Sequence, residues 1–211
     1  MGDCFLCKPR KELVYASTDE GVALCGLGPL VPGYSIVATR AHLRSAADAR
    51  KVAPSLSAFV SRVREVLVAR FGRCVLSEHG RVPACADISG TTDPHCYHAH
   101  FLLFPGSPNI EERAQKFFAA SEFTSSLDDA LTIAANWEEY FLISDAPNSF
   151  RVLTRPGKFI RQFARILVTD AMGLPSTRAN WRKHPNDEQA AREAESLRTL
   201  FSSAQSEKSH K

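Results

Sequence analysis

The chain has 211 residues, 44% of them apolar and 23% charged, which is typical of one globular domain with additions. Its 26 basic and 23 acidic residues are spread evenly, so the formal charge of +3 argues against a nucleic-acid-binding surface but permits a small anionic ligand. No apolar run reaches the roughly 18 residues of a membrane helix, and the N-terminus lacks the apolar centre of a signal peptide. We therefore expect a cytoplasmic protein with no membrane partner.

The first half of the chain predicts five strands and one long helix. Three β-branched and aromatic runs separated by turns, "ELVYAST", "GVALCGL" and "GYSIVAT", predict an antiparallel meander. A helix is predicted over 45–71 and ends at Gly72, because apolar residues recur there at helical spacing; they are Leu56, Phe59, Val60, Val63, Val66 and Leu67. The runs "RCVLSEHG" and "HCYHAHFLLF" complete a predicted five-stranded sheet.

After Pro105 the pattern becomes mainly helical. Helices are predicted in "NIEERAQKFFAA", in "SSLDDALTIAA" with Ser126 as its cap, over 158–173, and from Asn186 onward. A hairpin is predicted where "EYFLIS" and "SFRVLTR" flank "DAPN". We thus expect an α+β core over 1–105, a C-terminal extension over 106–200 that packs on it, and a disordered tail over 201–211.

Three histidines crowd into the stretch "HCYHAHFLLFP", residues 95–105. In a strand, alternate side chains share a face, so His98 and His100 would point the same way, together with Cys96 and Leu102. Two neighbouring imidazoles are costly to bury unsatisfied. The pair therefore indicates a metal ligand, a nucleophile, or one of each.

The cysteines favour the last of these alternatives. Cys4 and Cys7 form a C-x-x-C pair, whose two thiolates can reach one ion from a single turn. A tetrahedral structural zinc then needs about two more ligands, usually histidines; the candidates are His42, His79, His95, His98 and His100. The remaining cysteines lie singly among apolar neighbours and are interpreted as small buried residues; they are Cys25, Cys74, Cys85 and Cys96.

Taken together, "DCFLCK", "VPGYSIVATRAH" with the helix after it, and "HAHFLLFP" resemble the histidine triad (HIT) proteins of the galactose-1-phosphate uridylyltransferase superfamily. The match covers most of residues 4–105. The resemblance implies a sheet-centred α+β fold, often a homodimer, that binds nucleotides or other phosphoesters. In the family, the middle histidine attacks phosphorus and forms a covalent nucleotidyl-histidine intermediate.

Two registers fit the triad. Counting back from Pro105 gives His98, His100 and Leu102, with His100 as the nucleophile; the alternative begins at Cys96 and makes His98 the nucleophile. We favour the first register. By resemblance it implies a structural zinc held by Cys4, Cys7, His42 and His98.

Leu102 departs from the family pattern, which has a hydrogen-bonding residue at the third position. Either catalysis is impaired or another donor replaces it, such as His95 or His79. Arg161 and Arg165, four residues apart on a predicted helix, are candidates for a phosphate clamp, with Trp181 as an aromatic wall or a packing residue.

The sequence thus leaves three functional hypotheses. The first is a nucleotidyl or phosphoester hydrolase or transferase acting through His100. The second is a degenerate triad protein that binds nucleotides with little turnover. The third is a zinc-organised nucleic-acid module, against which the even charge balance argues. We also expect a homodimer, because the family commonly pairs and because the apolar face of the 45–71 helix is large for one sheet to cover.

Overall fold

The computed structural model describes residues 4–82, 97–154 and 160–206, and it contains one antiparallel sheet. The strands are β1 (Val14–Ser17), β2 (Gly21–Cys25), β3 (Ser35–Thr39), β4 (Cys74–Gly80), β5 (His100–Pro105), β6 (Ala120–Thr124), β7 (Tyr140–Ala146) and β8 (Ser149–Thr154). The α-helices are α1 (Ala46–Ala49), α2 (Leu56–Phe71), α3 (Glu111–Gln115), α4 (Leu127–Ala134), α5 (Phe163–Ala171) and α6 (Asp187–Ser206). Two 3₁₀ turns cover Lys11–Leu13 and Ser176–Ala179.

The sheet has eight strands in the order β1-β2-β3-β5-β4-β7-β8-β6, so the predicted five-stranded sheet is too small. Strands β1 to β4 form where the sequence predicts them, and β1 to β3 make the expected meander. The predicted hairpin also forms, but it joins the same sheet, because β7 pairs with β4 along its length. This pairing satisfies the backbone of β4, which would otherwise be an open edge.

Strand β6 is the element that the sequence did not predict. Four of its five residues are exposed, so it lacks the apolar alternation that marks a strand. It forms because its backbone pairs with β8, from Ala120 opposite Thr154 to Thr124 opposite Phe150.

The predicted long helix is divided into α1 and α2. Pro54 lies in the break, and a proline disfavours helical geometry in the residue before it. The six apolar residues predicted for the helix face are all buried within the chain. That face therefore needs no partner, and the expected homodimer stays a prediction that relies on the family resemblance alone.

In the C-terminal part, Ser126 caps α4 by accepting a hydrogen bond from the Asp129 amide, as predicted. Helix α5 begins only at Phe163, since Gln162 adopts left-handed geometry with φ 56°. Arg161 thus precedes the helix, and the prediction that it shares a helix face with Arg165 is wrong.

Helix α6 packs on β1 and β2 and continues through Ser206. Phe201, within it, is only 5% exposed. The first residues of the tail expected to be disordered are therefore helical, while 207–211 lie outside the described residues. No helix in the described ranges is long and apolar enough to cross a membrane.

Of the strand predicted over 95–104, residues 97–99 are not in a strand, and β5 begins at His100, while 95 and 96 lie outside the described residues. Immediately before it, the Ala99 amide donates to Leu43, and the Ala99 carbonyl accepts from the Thr39 amide. The segment before β5 is thereby attached to the loop that follows β3. This attachment brings His98 and His42 to the same end of the sheet.

Candidate metal and phosphoester site

Four side chains predicted as metal ligands meet at this end of the sheet. The ligand atoms of Cys4, Cys7, His42 and His98 all lie within 4.8 Å of one another. Cys4 and Cys7 contribute to the cluster from one turn, which is closed by a 3.0 Å hydrogen bond from the Cys7 amide to the Cys4 carbonyl. Cys4 and His98 are buried, whereas Cys7 and His42 are exposed. The cluster could hold a metal ion.

Two of three sulfur–nitrogen distances match a tetrahedral zinc, and the third is shorter. Zinc bonds of about 2.3 Å to sulfur and 2.0 Å to nitrogen, at tetrahedral angles, separate the two ligand atoms by about 3.5 Å. His98 Nδ1 lies 3.4 Å from Cys4 Sγ and 3.5 Å from Cys7 Sγ, and His42 Nδ1 lies 2.9 Å from Cys7 Sγ. Two thiolates and two imidazoles form a donor set typical of structural zinc.

A hydrogen bond fixes the tautomer of His98. Its Nε2 lies 2.7 Å from the Thr39 carbonyl oxygen, which can only accept, so Nε2 carries the proton. The lone pair is therefore on Nδ1, the atom that faces both sulfurs. Support of a ligating imidazole by a carbonyl on its far nitrogen is the usual arrangement around metals.

A cavity of about 520 Å³ lies over one face of the sheet, next to the cluster. Its floor includes Leu24, Ile36, His100 and Leu102. Its basic lining residues are Lys8, Arg10, Arg161, Arg165 and Arg182. No aspartate or glutamate occurs among the described residues that line it, so the cavity suits an anionic ligand.

His100 lies on the cavity floor, held by the backbone. Its Nδ1 donates to the His98 carbonyl at 2.7 Å, which leaves the lone pair of the neutral ring on Nε2. Burial is the main cause that lowers the pKa of His100 below its ordinary value. The neutral, nucleophilic form therefore predominates near pH 7.

Strand β4 contributes two polar residues to the same floor. The register pairs Ser77 with Leu102 and so places His79 beside His100. Burial, followed by the effect of His100, lowers the pKa of His79 to about 3, so its ring is neutral. The Ser77 hydroxyl is buried and makes no hydrogen bond with the described residues.

Three of the four residues predicted to bind phosphate line the same cavity. His79, Arg161 and Arg165 line the cavity, but Arg161 is exposed and Arg165 is buried. His95 lies outside the described residues, as do Cys85 and Cys96. Cys25 and Cys74 are buried as interpreted, and burial raises the pKa of each thiol to about 12.

Sequence reasoning missed Ser77 and Phe5 as cavity residues. Ser77 and His79 occupy alternate positions of the strand "CVLSEHG" and therefore share a face, which could have indicated that Ser77 lies on the same side as His79. Phe5 lies between Cys4 and Cys7 in the sequence. It lines the cavity, where its ring contacts that of Trp181. Its position could not be derived from spacing.

The far wall of the cavity comes from the C-terminal segment. Gly28, in the loop between β2 and β3, donates to the Pro185 carbonyl at 2.6 Å. A Cβ atom on Gly28 would lie 2.8 Å from the His184 carbonyl oxygen and 2.9 Å from Trp181 Cα. This close approach holds the segment that carries Trp181 and Arg182 against the sheet.

No protein-family model and no curated protein matches the chain. Among solved structures it is similar to one described as a Hit-like protein involved in cell-cycle regulation from Bartonella henselae, which was crystallised with an unknown ligand. The TM-score is 0.37 and the identity 15%, over 48% of this chain and 74% of that chain. At this distance the chemistry of the site must be inferred from its own residues.

Proposed function

We propose that the protein is a phosphoester hydrolase or nucleotidyltransferase in which His100 attacks phosphorus. The observation that carries the proposal is the placement of His100. Its Nδ1 is anchored 2.7 Å from the His98 carbonyl oxygen, and its ring lines a cavity surrounded by basic side chains. The resemblance of "HAHFLLFP" to the histidine triad supports the same role for this residue.

The proposed reaction has two steps. The His100 Nε2 lone pair forms a bond to phosphorus while the bond from phosphorus to the leaving oxygen breaks, and that oxygen takes a proton from solvent or a nearby acid. The imidazole becomes cationic, and the His98 carbonyl stabilises it through the Nδ1 proton. Water or another hydroxyl then attacks phosphorus, the N–P bond breaks, and the attacking oxygen loses its proton.

Leu102 cannot donate a hydrogen bond to the phosphoryl group, so another residue must do so. Ser77 pairs directly with Leu102 across the strands, and its buried hydroxyl makes no hydrogen bond with the described residues. We propose that this hydroxyl binds a non-bridging phosphoryl oxygen in place of the missing triad side chain.

A metal in the Cys/His cluster would have a structural role. All four donors that suit zinc are protein side chains, which leaves no open coordination position for a substrate. The ion would fix the turn at Cys4–Cys7, and with it the Phe5 wall of the cavity.

The second candidate is a nucleotide-binding protein with little turnover, which Leu102 favours. Incubation with a panel of nucleotidyl compounds, followed by intact-mass measurement, separates the two. A phosphorus-linked mass on the peptide that contains His100, absent in His100→Ala, supports the enzyme. Binding by isothermal titration without an adduct or product supports the binder. An adduct on His98 would instead assign the register that begins at Cys96.

A further inference from the structure

Arg165 is buried in the cavity wall, and no carboxylate among the described residues pairs with it. It is 3% exposed, and three of its five N–H groups donate to backbone carbonyls. Nε donates to Ala179 at 2.7 Å, and Nη2 donates to Gly28 at 2.7 Å and to Arg178 at 3.1 Å. Nη1 makes no hydrogen bond of ordinary geometry with the described residues.

A second buried arginine also makes three hydrogen bonds, but it uses all three of its guanidinium nitrogens. Arg64 is 6% exposed, and its Nε donates to the Cys74 carbonyl at 3.0 Å. Its Nη1 donates to Ser144 Oγ at 2.7 Å and its Nη2 to the Ser144 carbonyl at 2.9 Å. Arg64 does not line the cavity. Of these two arginines, only the one at the cavity retains an unused donor nitrogen.

The unused donor belongs to a cavity-lining residue that packs on the Tyr34 ring. His100, Leu102 and Phe104 share one face of β5, so His100 and Phe104 are about 13 Å apart along the strand. The Tyr34 ring stacks on Phe104 with centroids 4.9 Å apart, and Arg165 Cζ lies 5.2 Å from the Tyr34 centroid. Arg165 thus packs on the Tyr34 ring beside Phe104, four residues along β5 from His100.

A buried guanidinium without an anionic partner is costly, and the described residues provide no carboxylate for Arg165. We propose that Arg165 binds an oxyanion on the distal part of the substrate. Nη1 is buried, so binding includes a shift of the neighbouring Tyr34 ring, whose hydroxyl interacts with the guanidinium.

The inference deepens the proposed function and rests on it for the identity of the reactive end. The substrate is a phosphoester whose reactive phosphorus lies at His100 and whose second oxyanion, a phosphate or a carboxylate, lies at Arg165. The part of the substrate between the two groups covers the apolar floor formed by Leu24, Ile36 and Leu102.

The test is a titration with inorganic phosphate at constant ionic strength, followed by thermal unfolding and calorimetry. Wild type should be stabilised, and Arg165→Lys should lose at least about tenfold in apparent affinity, since a hydrogen bond to a charged group is lost. Arg64→Lys is the matched control and should bind as wild type. A parallel titration with acetate decides whether the subsite prefers a tetrahedral or a planar oxyanion.

His100→Gln separates this inference from the proposed function. It should retain phosphate binding at Arg165 even if the His100 adduct is never observed. Equal losses in the two arginine variants, or wild-type affinity in Arg165→Lys, would overturn the inference.

If Arg165→Lys does not fold, wild-type crystals soaked in arsenate give a direct answer. An anomalous peak within hydrogen-bonding distance of the Arg165 guanidinium supports the subsite. A peak elsewhere only, or none, overturns it.

Discussion

Phe5 and Trp181, which both line the cavity, are in contact, with ring centroids 5.8 Å apart and ring planes tilted by 50°. Phe5 belongs to the Cys4–Cys7 turn, and Trp181 belongs to the C-terminal segment held by Gly28. One aromatic contact therefore connects the candidate metal centre with the far wall of the cavity. The position of the Cys4–Cys7 turn and the position of the segment that carries Trp181 should therefore depend on each other.

We expect Phe5→Ala and Trp181→Ala each to weaken nucleotide binding while metal content stays unchanged, because neither side chain is a ligand. A double-mutant cycle on the free energy of unfolding should give a coupling of about 0.5–1.5 kcal/mol. The exposed Trp137 provides the control, since it does not line the cavity. Additive effects of the two changes would show that the ring contact does not connect the two walls.

Elemental analysis of protein purified without added metal should find about one zinc per chain. Cys4→Ala should abolish it and lower the melting temperature by about 10 °C, if free zinc exceeds its dissociation constant about a thousandfold. Cys74→Ala removes a buried thiol outside the cluster and should leave the zinc content intact. A metal-free wild type, or unchanged stability in Cys4→Ala, would contradict the prediction.

Ser77→Ala should slow adduct formation about a hundredfold, the usual effect of losing one donor to a developing oxyanion. Leu102→His should raise the rate if the missing donor limits it. Rates of adduct formation by rapid-quench mass spectrometry provide the measurement. Ser107→Ala is the control, because that buried hydroxyl donates to the Phe104 carbonyl instead; an equal loss in both variants would point to stability rather than chemistry.

Gly28→Ala should both destabilise the protein and weaken ligand binding. Gly28 has φ 62° and no room for a Cβ atom beside Trp181 and His184. Gly173→Ala is matched in backbone geometry, with φ 65°, but has nothing within 4 Å of the added atom. Its free energy of unfolding should fall by only about 1–2 kcal/mol, the cost of left-handed backbone geometry for a residue other than glycine. Urea unfolding measures the difference. An equal loss of unfolding free energy in the two variants would show that close packing of Gly28 against Trp181 and His184 does not stabilise the protein.

Glu78→Gln should stabilise the protein at pH 8 but much less at pH 5. Burial raises the pKa of Glu78 to about 7 from 4.5, so the folded state binds an extra proton between these values and wild type loses stability as pH rises through them. The shift corresponds to at most about 3 kcal/mol. The introduced amide side chain would keep an oxygen for the Ala46 amide, which lies 3.1 Å from the carboxylate in wild type.

Denaturant unfolding of both proteins at several pH values tests this. Glu138→Gln is the control, because it removes one negative charge at an exposed position. A difference between Glu78→Gln and wild type that stays constant from pH 5 to pH 8 would show that Glu78 does not titrate in this range.

The sequence by itself determined the features that depend on local pattern. Apolar alternation and turn residues predicted the five strands β1 to β5, the β7–β8 hairpin and the buried face of α2. The C-x-x-C turn and the family resemblance predicted the four residues that meet in the Cys/His cluster.

Tertiary structure alone decided what depends on contacts between distant segments. The pairing of β7 with β4 extended the sheet to eight strands, and exposed β6 exists only through its partner β8. The left-handed Gln162 separated Arg161 from Arg165, and packing against Gly28 and Ala179 buried Arg165 in the cavity wall. Such placements arise because backbone groups far apart in sequence must satisfy one another, which no local periodicity records.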